Sequence, residues 1–340
     1  MAAAPIPAPP ATALPRVAVL DDTQDVARAS ADWDALAGRA EVAFFGEPFA
    51  DEDDAAARLR PFQILVPMRE RTPLPASLLR RLPGLRMIAL TGTRAPTLDL
   101  TACTERGIVV CNTGIDSAAA TAELAFGLIL SCARAIPRAD AAMRAGGWHA
   151  GVPLGFALAG KRLGILGLGR LGSRVASYGR AFGMEVVAWS QNLTAEAAEA
   201  QGARRVGKAE LFAASDVVSI HLVLSERTRG IVGPAELASM KAGAVLVNTS
   251  RGPLVDEAAL VEALRPGRIR AGLDVYDREP LPADHPLRGQ AAAVLTPHLG
   301  YSTRAVFAQL YGESVENILA HLAGSPIRVV NPAALRAAPS

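Results

Sequence analysis

The chain has 340 residues, of which 50% are hydrophobic and 20% are charged, and its formal net charge is +2. One hydrophobic core rarely serves a chain of this length, so we expect two domains. The composition excludes a disordered or fibrous protein. Because the basic residues are scattered along the chain, it also gives no reason to expect a nucleic-acid or membrane partner.

The first 15 residues are rich in Ala and Pro and have no basic segment, which predicts a disordered tail rather than a signal peptide. No later run is apolar for the roughly 18 residues that a membrane span needs. Cys103, Cys111 and Cys132 form no CxxC pair, which suits buried, reduced thiols, and a Cys103–Cys111 disulfide is the alternative. Together these features predict a cytoplasmic protein.

Short apolar runs alternate with helical segments in the first third of the chain. The runs are VAVL at 17–20, QILV at 63–66 and MIAL at 87–90, a pattern typical of a parallel α/β layer. The long apolar segment 121–136 predicts a buried helix, which MRAGGWHAG then interrupts.

The same alternation restarts at Lys161 and supplies enough strands for a second sheet. Six strand-like runs follow, namely RLGILGLG, EVVAWS, DVVSIHLV, AVLVNTS, RAGLDVY and AVLTPH. With the helices between them they predict a complete doubly wound sheet. A last helix, 303–322, is expected to return to the first domain, which would make that domain discontinuous.

A glycine-rich loop follows the first of these runs and opens a helix. It contains Gly167, Gly169 and Gly172, with Arg170 and Leu171 between the last two. The first glycine permits a tight turn, the second lets the backbone approach a pyrophosphate, and the third lets the helix pack closely on the strand. This context predicts a Rossmann-type dinucleotide site rather than a structural glycine turn.

The end of the next strand run bears on the choice between NAD(H) and NADP(H). Ser190 and Gln191 stand where an acidic residue would bind the adenosine ribose of NAD(H). No arginine adjoins them to bind the 2′-phosphate of NADP(H), although Arg204 and Arg205 lie on a later segment. The sequence therefore leaves both cofactors possible, with a slight preference for NAD(H).

Three further motifs each follow a strand-like run: VNTSRGPLVD with Arg251, GLDVYDREP with Glu279, and LTPHLGYS with His298. Ligands of open α/β sheets bind beyond the carboxyl ends of the strands, so these side chains can converge beside the nicotinamide. Each residue alone has an ordinary structural interpretation. Their combination favours a catalytic site.

These motifs, with GKRLGILGLGRLG, resemble the D-isomer-specific 2-hydroxyacid dehydrogenase family over roughly residues 60–320, including its phosphoglycerate dehydrogenases and glyoxylate–hydroxypyruvate reductases. The resemblance implies that Arg251 binds the carboxylate and keto oxygen of a 2-keto acid, that His298 is the acid/base, and that Glu279 holds and charges the histidine. It places Asp274 near the nicotinamide amide. We also assign His221 and Thr249 to the cofactor side.

The chemistry agrees with these residue types. Hydride delivery to a keto carbon builds negative charge on its oxygen, so a protonated histidine should donate a proton and a fixed guanidinium should orient the acid. A neighbouring glutamate favours the imidazolium. The remaining histidines, His149, His285 and His321, have no motif and are interpreted as surface or structural residues. No cluster has metal-ligand spacing.

The substrate side is expected on the first domain. In the resembled family the loop after MIAL, here Gly92, Thr93 and Arg94, offers backbone N–H groups to the substrate carboxylate, although Arg94-Ala95-Pro96 departs from the usual Asn or Asp. Arg69 or Arg71 could line the cleft, and the alternative is a solvated loop charge. An arginine-rich mouth would suit a second anionic group.

We therefore predict an α/β protein with two doubly wound parallel-sheet domains and a cleft between them. The flavodoxin-like substrate domain takes residues 16–113 and 303–335, and the nucleotide domain takes 114–302. The helix 118–136 and the loop around Trp148 resemble the family's dimerisation arm, so we expect a homodimer.

Two other functions are compatible with the fold. Formate dehydrogenases carry Gln at the position of Glu279, which argues against formate oxidation. Some relatives act as cofactor-sensing corepressors and retain the catalytic residues, so a corepressor-like binding protein is kept as the alternative.

Overall fold

A computed structural model describes residues 14–94, 96–265 and 267–337. They form two compact units. The discontinuous unit contains the residues up to Asp116 and those from Thr303 onward, and the continuous unit contains Ser117–Ser302. Of the tail predicted over residues 1–15, only Leu14 and Pro15 fall within the described residues.

The discontinuous unit is built on a five-stranded sheet in which every strand pair is parallel. The strand order is β2-β1-β3-β4-β5, the flavodoxin-like order. The strands are β1 (Arg16–Val19), β2 (Glu41–Phe44), β3 (Ile64–Val66), β4 (Met87–Leu90) and β5 (Val109–Asn112). β3 and β4 are buried at every position, as expected for a parallel sheet that helices cover on both faces.

Four helices connect these strands: α1 (Ala27–Ser30), α2 (Glu52–Leu59), α3 (Ala76–Arg80) and α4 (Leu100–Glu105). Two of them begin at an acidic cap. The Asp51 side chain accepts a hydrogen bond from the Asp54 N–H, and Asp99 accepts one from the Ala102 N–H. These bonds satisfy N–H groups that have no partner within the first turn of a helix.

The continuous unit contains a seven-stranded sheet, again with every pair parallel. Its order is β12-β11-β10-β9-β6-β7-β8, which is the Rossmann order with one further strand. The strands are β6 (Arg162–Leu166), β7 (Glu185–Trp189), β8 (Arg204–Arg205), β9 (Val217–Ile220), β10 (Val245–Asn248), β11 (Arg270–Leu273) and β12 (Ala293–Leu295).

Helices cover both faces of this sheet. They are α5 (Ala118–Arg134), α6 (Ile136–Arg144), α7 (Arg170–Ala181), α8 (Ala195–Ala200), α9 (Lys208–Ala214), α10 (Pro234–Ser239) and α11 (Glu257–Leu264). Ile165 of β6 joins the core formed with α5 and α7, whereas Leu166 joins the core formed with α9, α10 and α11. Successive side chains of a strand point to opposite faces, so one sheet supports two cores.

The chain then returns to the discontinuous unit through α12 (Arg304–Leu322), and α13 (Ala334–Ala337) follows. α12 buries Phe307, Leu310, Tyr311 and Ile318. The Tyr311 ring lies 5.9 Å from that of Trp33, which belongs to the short 3₁₀ helix Trp33–Leu36. The helix α12 is therefore part of the core of the discontinuous unit.

The predicted fold class, two doubly wound parallel sheets, is confirmed. The strand-like and helical segments expected from the sequence do not include β2, β5, β8 or α6. Within the described ranges no single helix is long and apolar enough to span a membrane. Among the described residues, only the pair α5 and α6 passes that test when the two are taken together, and their axes meet at a bend of 64°.

Candidate active site

The carboxyl ends of the parallel strands in the continuous unit lie along one edge of its sheet, and the predicted site residues follow them there. Across the sheet, His298 follows β12, Asp274 follows β11, Arg251 follows β10, His221 follows β9, the glycine loop follows β6, and Ser190 follows β7. The three proposed catalytic residues therefore come from three neighbouring strands. The glycine loop lies further along the same edge, after β6.

Glu279 and His298 form a direct pair. The Glu279 Oε2 atom lies 2.5 Å from His298 Nδ1, and its Oε1 atom accepts a hydrogen bond from the Tyr276 N–H at 3.0 Å. A carboxylate only accepts hydrogen bonds, so Nδ1 carries the proton between them. Nε2 is then the ring nitrogen that can exchange a proton with a substrate.

The charge state of Glu279 follows from its surroundings. Burial raises the pKa of this carboxyl, but the hydrogen bond and charge of His298, the Tyr276 N–H and the charge of Arg251 together lower it below its ordinary value. Glu279 is therefore ionised at neutral pH. The Arg251 Nη1 group also donates to the Ser250 carbonyl at 2.7 Å.

Asp274 fixes the turn that carries His298. Its carboxylate accepts hydrogen bonds from the Leu299 N–H at 2.7 Å, the Gly300 N–H at 2.8 Å and the Thr296 hydroxyl at 2.6 Å. Burial raises the pKa of Asp274, and these three donors partly offset that increase. The sequence resemblance places Asp274 beside the nicotinamide but gives no sign of these three hydrogen bonds, which position the turn of His298.

The glycine loop packs tightly against its own helix at Gly172 and leaves open space at Gly169. Gly167 has φ +102°, and a Cβ at Gly172 would lie 2.1 Å from the Gly167 carbonyl oxygen, so α7 packs directly on the turn. No atom lies within 4 Å of the position that a Cβ at Gly169 would take. Arg170 and Leu171 open α7, whose first turn contains no acidic residue. This geometry fits an anion at the helix N-terminus.

Two buried polar atoms beside the loop also fit a bound dinucleotide. His221 Nδ1 and Thr249 Oγ1 have no hydrogen-bond partner among the described residues. The other ring nitrogen of His221 lies 2.8 Å from Ser219 Oγ, and burial lowers the pKa of His221 to about 4, which keeps the ring neutral. Buried polar atoms rarely stay unpaired, so a polar ligand at this place would satisfy both.

The residues assigned to substrate binding belong to the discontinuous unit. Arg69 follows β3 with φ 55° and lies 3.5 Å from the Glu70 carboxylate. The Gly92 N–H donates to Thr113 Oγ1 at 2.7 Å. Thr113 thus accepts from this N–H in the structure, and the contacts of Gly92 and Thr93 with a substrate carboxylate stay predictions. Arg71 donates to the Asp21 carbonyl at 3.2 Å, so it is tied to the end of β1.

One polar pair near the site has no counterpart in the sequence analysis. His285, interpreted there as surface or structural, lies 2.9 Å from Glu257 through Nε2, and Glu257 also accepts a hydrogen bond from the Asp277 N–H at 3.3 Å. The pair thus ties the loop of Glu279 to the start of α11. No motif spacing joins residues so far apart in the chain, so the sequence offered no signal for it.

The remaining reactive side chains form no second site. Cys103, Cys111 and Cys132 are free and buried, and burial raises the pKa of Cys111 to about 11. Within the described part of the chain, no group of three or more His, Cys, Asp or Glu residues could hold a metal ion.

Comparison with known proteins gives a consistent result. The family model described as "D-isomer specific 2-hydroxyacid dehydrogenase, NAD binding domain" matches residues 126–300. A glyoxylate reductase from Aeropyrum pernix is 42% identical over 263 residues, which cover 75% of this chain and 78% of that protein. A D-3-phosphoglycerate dehydrogenase from Archaeoglobus fulgidus is 37% identical over 77% of this chain, but the match spans only 50% of that relative.

Solved structures show the same similarity. The crystal structure of a phosphoglycerate oxidoreductase from Vibrio cholerae has a TM-score of 0.87 with 36% identity, over 92% of this chain and 100% of that one. The D-lactate dehydrogenase of Escherichia coli has a TM-score of 0.76 with 26% identity, over 93% and 99%. These relatives are named as enzymes, and nothing in the comparisons supports the corepressor alternative.

Proposed function

The chain belongs to the D-isomer-specific 2-hydroxyacid dehydrogenase family, and from that premise we propose that it reduces a small 2-keto acid to the D-2-hydroxy acid, and catalyses the reverse, with a nicotinamide dinucleotide. The observation that carries this proposal is the His298–Glu279 pair at 2.5 Å, with Arg251 close enough to lower the pKa of Glu279. An acid/base, its orienting carboxylate and a fixed cation thus share one sheet edge.

Each residue has a role that follows from its chemistry. The Arg251 guanidinium binds the carboxylate of the keto acid and faces its keto oxygen. His298 donates a proton from Nε2 to that oxygen as negative charge develops on it, and it takes the proton back in the oxidative direction. Glu279 stays ionised, keeps the imidazole in one orientation and stabilises the imidazolium.

A bound nicotinamide would supply or accept the hydride in this reaction. The residues of this chain that would hold the dinucleotide are the glycine loop, with Gly167, Gly169 and Gly172, and the side chains of His221 and Thr249, whose Nδ1 and Oγ1 atoms have no partner among the described residues. Ser190 and Gln191 follow β7 and would lie beside the adenosine ribose.

The substrate class that we propose is a short keto acid such as glyoxylate or hydroxypyruvate. A relative named glyoxylate reductase is 42% identical to this chain, and the D-3-phosphoglycerate dehydrogenase from Archaeoglobus fulgidus is 37% identical. Arg69 and Thr93 are proposed to contact the substrate from the discontinuous unit. A solvated loop charge is the alternative for Arg69.

The direct test is the consumption of NADH and NADPH with a panel of 2-keto acids: glyoxylate, hydroxypyruvate, phosphohydroxypyruvate, pyruvate and an aromatic keto acid. Turnover of a short keto acid to the D product is the expected result, and chiral chromatography identifies the product. Absence of turnover across the panel by a chain that still binds cofactor would overturn the proposal.

His298→Ala should lower keto-acid reduction by about 10²- to 10⁴-fold, the range typical of a general acid, and should leave cofactor affinity nearly unchanged. Steady-state kinetics and dinucleotide titration measure the two quantities. His149→Ala, a change at an exposed histidine, is the control and should leave both unchanged. A loss confined to cofactor affinity in His298→Ala would contradict the acid/base role.

A homodimer and a cytoplasmic location are part of the proposal. The helix α6 has no buried residue, and Met143, Trp148 and Leu154 are exposed apolar residues in and after it. Such a run of exposed apolar side chains suits an interface with a second copy. Light scattering after size-exclusion chromatography tests the dimer. The three unpaired thiols fit a reducing compartment.

A further inference from the structure

The ribose end of the proposed dinucleotide site contains no carboxylate at the position that would select NAD(H). Ser190 follows β7 and begins a turn that the Leu193 N–H closes by donating to the Ser190 carbonyl at 3.2 Å. The Gly167 N–H donates to the Trp189 carbonyl at 2.8 Å, which places this turn next to the glycine loop. A carboxylate at this point would repel a 2′-phosphate, and Ser190 would not.

The two arginines of β8 differ in their surroundings, although they are adjacent in the chain. The Arg204 guanidinium is shared between the carboxylates of Glu185 at 3.4 Å and Glu210 at 3.3 Å. Glu185 begins β7, so this ion-pair cluster lies at the amino end of that strand, away from the turn. The charge of Arg204 is therefore already neutralised.

Arg205 points to the turn instead. Its Nε group donates to the Leu193 carbonyl at 2.7 Å, which holds the guanidinium on the Ser190–Leu193 turn, and it forms no ion pair with any residue that the structure describes. With Nε used by Leu193, the Nη1 and Nη2 groups are left for another acceptor. An exposed, anchored and uncompensated guanidinium suits a phosphate, because its N–H groups match two phosphate oxygens.

We infer that Arg205 binds the 2′-phosphate of NADP(H), so that this chain accepts NADP(H) and its cofactor preference is set from β8. The inference rests on the proposed function, because it assumes that the adenosine ribose lies on the Ser190 turn. It reverses the slight preference of the sequence for NAD(H), which rested on the absence of an arginine beside Ser190 and left open whether Arg204 or Arg205 reaches the ribose. The folded sheet brings Arg205, 15 positions later in the chain, to that turn.

Binding of adenosine 2′,5′-bisphosphate and of 5′-AMP to the full chain, measured by calorimetry, tests this inference without turnover. We expect the bisphosphate to bind at least tenfold more tightly. Arg205→Gln should weaken the bisphosphate by about 10- to 100-fold, as expected when a charge-assisted hydrogen-bond donor is removed. The same variant should change 5′-AMP affinity by less than about twofold.

Arg204→Gln is the matched control and should leave the ratio of the two affinities unchanged. Arg205→Lys, which keeps the charge but loses the planar fork, should give an intermediate loss and serves if Arg205→Gln does not fold. Equal loss of both ligands in Arg205→Gln, an equal effect in Arg204→Gln, or a parent chain that does not distinguish the ligands would each overturn the inference.

The two proposals can fail separately. Retained preference for the bisphosphate without turnover of any keto acid would refute the proposed reaction and keep the role of Arg205. Turnover at equal kcat/KM with NADH and NADPH, unaffected by Arg205→Gln, would keep the reaction and refute that role. Ser190→Asp should act in the same direction as Arg205→Gln, because its carboxylate repels the 2′-phosphate.

Discussion

His298 has a left-handed backbone, with φ 55°. A residue other than glycine pays for this conformation, so the surrounding contacts must enforce it. Asp274 does so by accepting hydrogen bonds from the next two N–H groups, those of Leu299 and Gly300. The ring of His298 is thereby directed to Glu279 by the backbone as well as by the carboxylate.

Glu279→Gln should lower keto-acid reduction by about 10- to 100-fold and shift the pH profile. The contacts of Glu279 lower its pKa, so the carboxylate is ionised throughout the neutral range and stabilises the proton-donating form of His298. Glutamine is neutral and removes that stabilisation. The rate should therefore begin to fall at a lower pH than in the parent as pH is raised, and pH–rate measurements check this.

The control for this change is Glu262→Gln, on the exposed face of α11, where Glu262 pairs with Arg265. It should leave the pH profile unchanged. A Glu279→Gln variant with the parent's profile would show that the carboxylate does not act on the proton of His298.

The residues proposed to be catalytic could be placed together from the sequence, and the contacts that position them could not. Arg251, Glu279 and His298 each stand in a motif just after an apolar run, so strand-end geometry was enough to bring them together. The contacts of Asp274 and the His285–Glu257 pair depend on how loops fold back on one another. Neither hydrophobic periodicity nor short motifs contain that information.

At the scale of elements, the contact between β6 and α7 shapes the dinucleotide loop. Gly172→Ala should destabilise the continuous unit by about 1–3 kcal/mol and weaken dinucleotide binding, because its Cβ would lie 2.1 Å from the Gly167 carbonyl oxygen. Urea unfolding and ligand titration measure the two effects.

Gly169→Ala separates binding from packing. Its Cβ would meet no atom within 4 Å, so stability should change little, while affinity for 5′-AMP and for the dinucleotide should fall because the Cβ enters the space that a phosphate needs. Equal stability of the two variants would contradict the packing role assigned to Gly172.

The helix α12 holds the segment after β5 through three polar side chains spaced four residues apart. Gln309 Oε1 accepts from the Asp116 N–H at 3.2 Å, Glu313 accepts from the Gly114 N–H at 2.6 Å, and the Asn317 amide donates to the Asn112 carbonyl at 2.9 Å. This spacing aligns all three on one face of the helix. We call these three hydrogen bonds the ladder. They give partners to backbone N–H and C=O groups where the chain leaves β5.

Glu313→Ala should lower the free energy of unfolding of the discontinuous unit by about 2 kcal/mol, because it leaves the Gly114 N–H without its charged acceptor. Glu316→Ala, which removes an exposed ion pair with Arg328, should cost less than about 1 kcal/mol. Denaturant unfolding monitored by Trp33 fluorescence measures both. Equal effects of the two changes would show that the ladder adds no stability.

Three of the four elements that sequence reasoning missed, β2, β8 and α6, have a weak hydrophobic signal, whereas the fourth, β5, is apolar and buried at three of its four positions. β8 has two residues, both exposed arginines, and α6 buries no residue, so neither shows a periodic apolar pattern. β2 lies at the edge of its sheet, where its residues are less buried than those of β3 and β4. The strands β6, β9 and β10, which were identified, are buried at nearly every position.

At the scale of the whole molecule, the residues of the continuous unit interrupt the sequence of the discontinuous one. Residues 117–302 hold all seven strands of their sheet and both of its cores. The other sheet is complete within residues 14–116, but its covering helix α12 comes from the far end of the chain. The two units should therefore differ in whether they fold as simple fragments.

We expect a fragment of residues 117–302 to fold alone and bind 5′-AMP, and a fragment of residues 14–116 to stay unfolded. The second fragment lacks α12, which buries Phe307, Leu310, Tyr311 and Ile318 against the first strands and helices. Burying one such side chain contributes about 1.5–3 kcal/mol, so the loss of four, roughly 6–12 kcal/mol, is as large as the whole unfolding free energy of a typical small domain. Circular dichroism, thermal unfolding and calorimetry check both fragments.

Restoring α12 should rescue the second fragment. The Asp116 N–H already bonds to Gln309, about 9 Å along the helix from Thr303, and a Gly/Ser linker of eight residues spans roughly 16 Å. Residues 14–116 joined by this linker to 303–337 should therefore fold cooperatively. Folding of 14–116 without α12 would show instead that the sheet and its first four helices are sufficient, and α12 would then be a covering element rather than part of the folding unit.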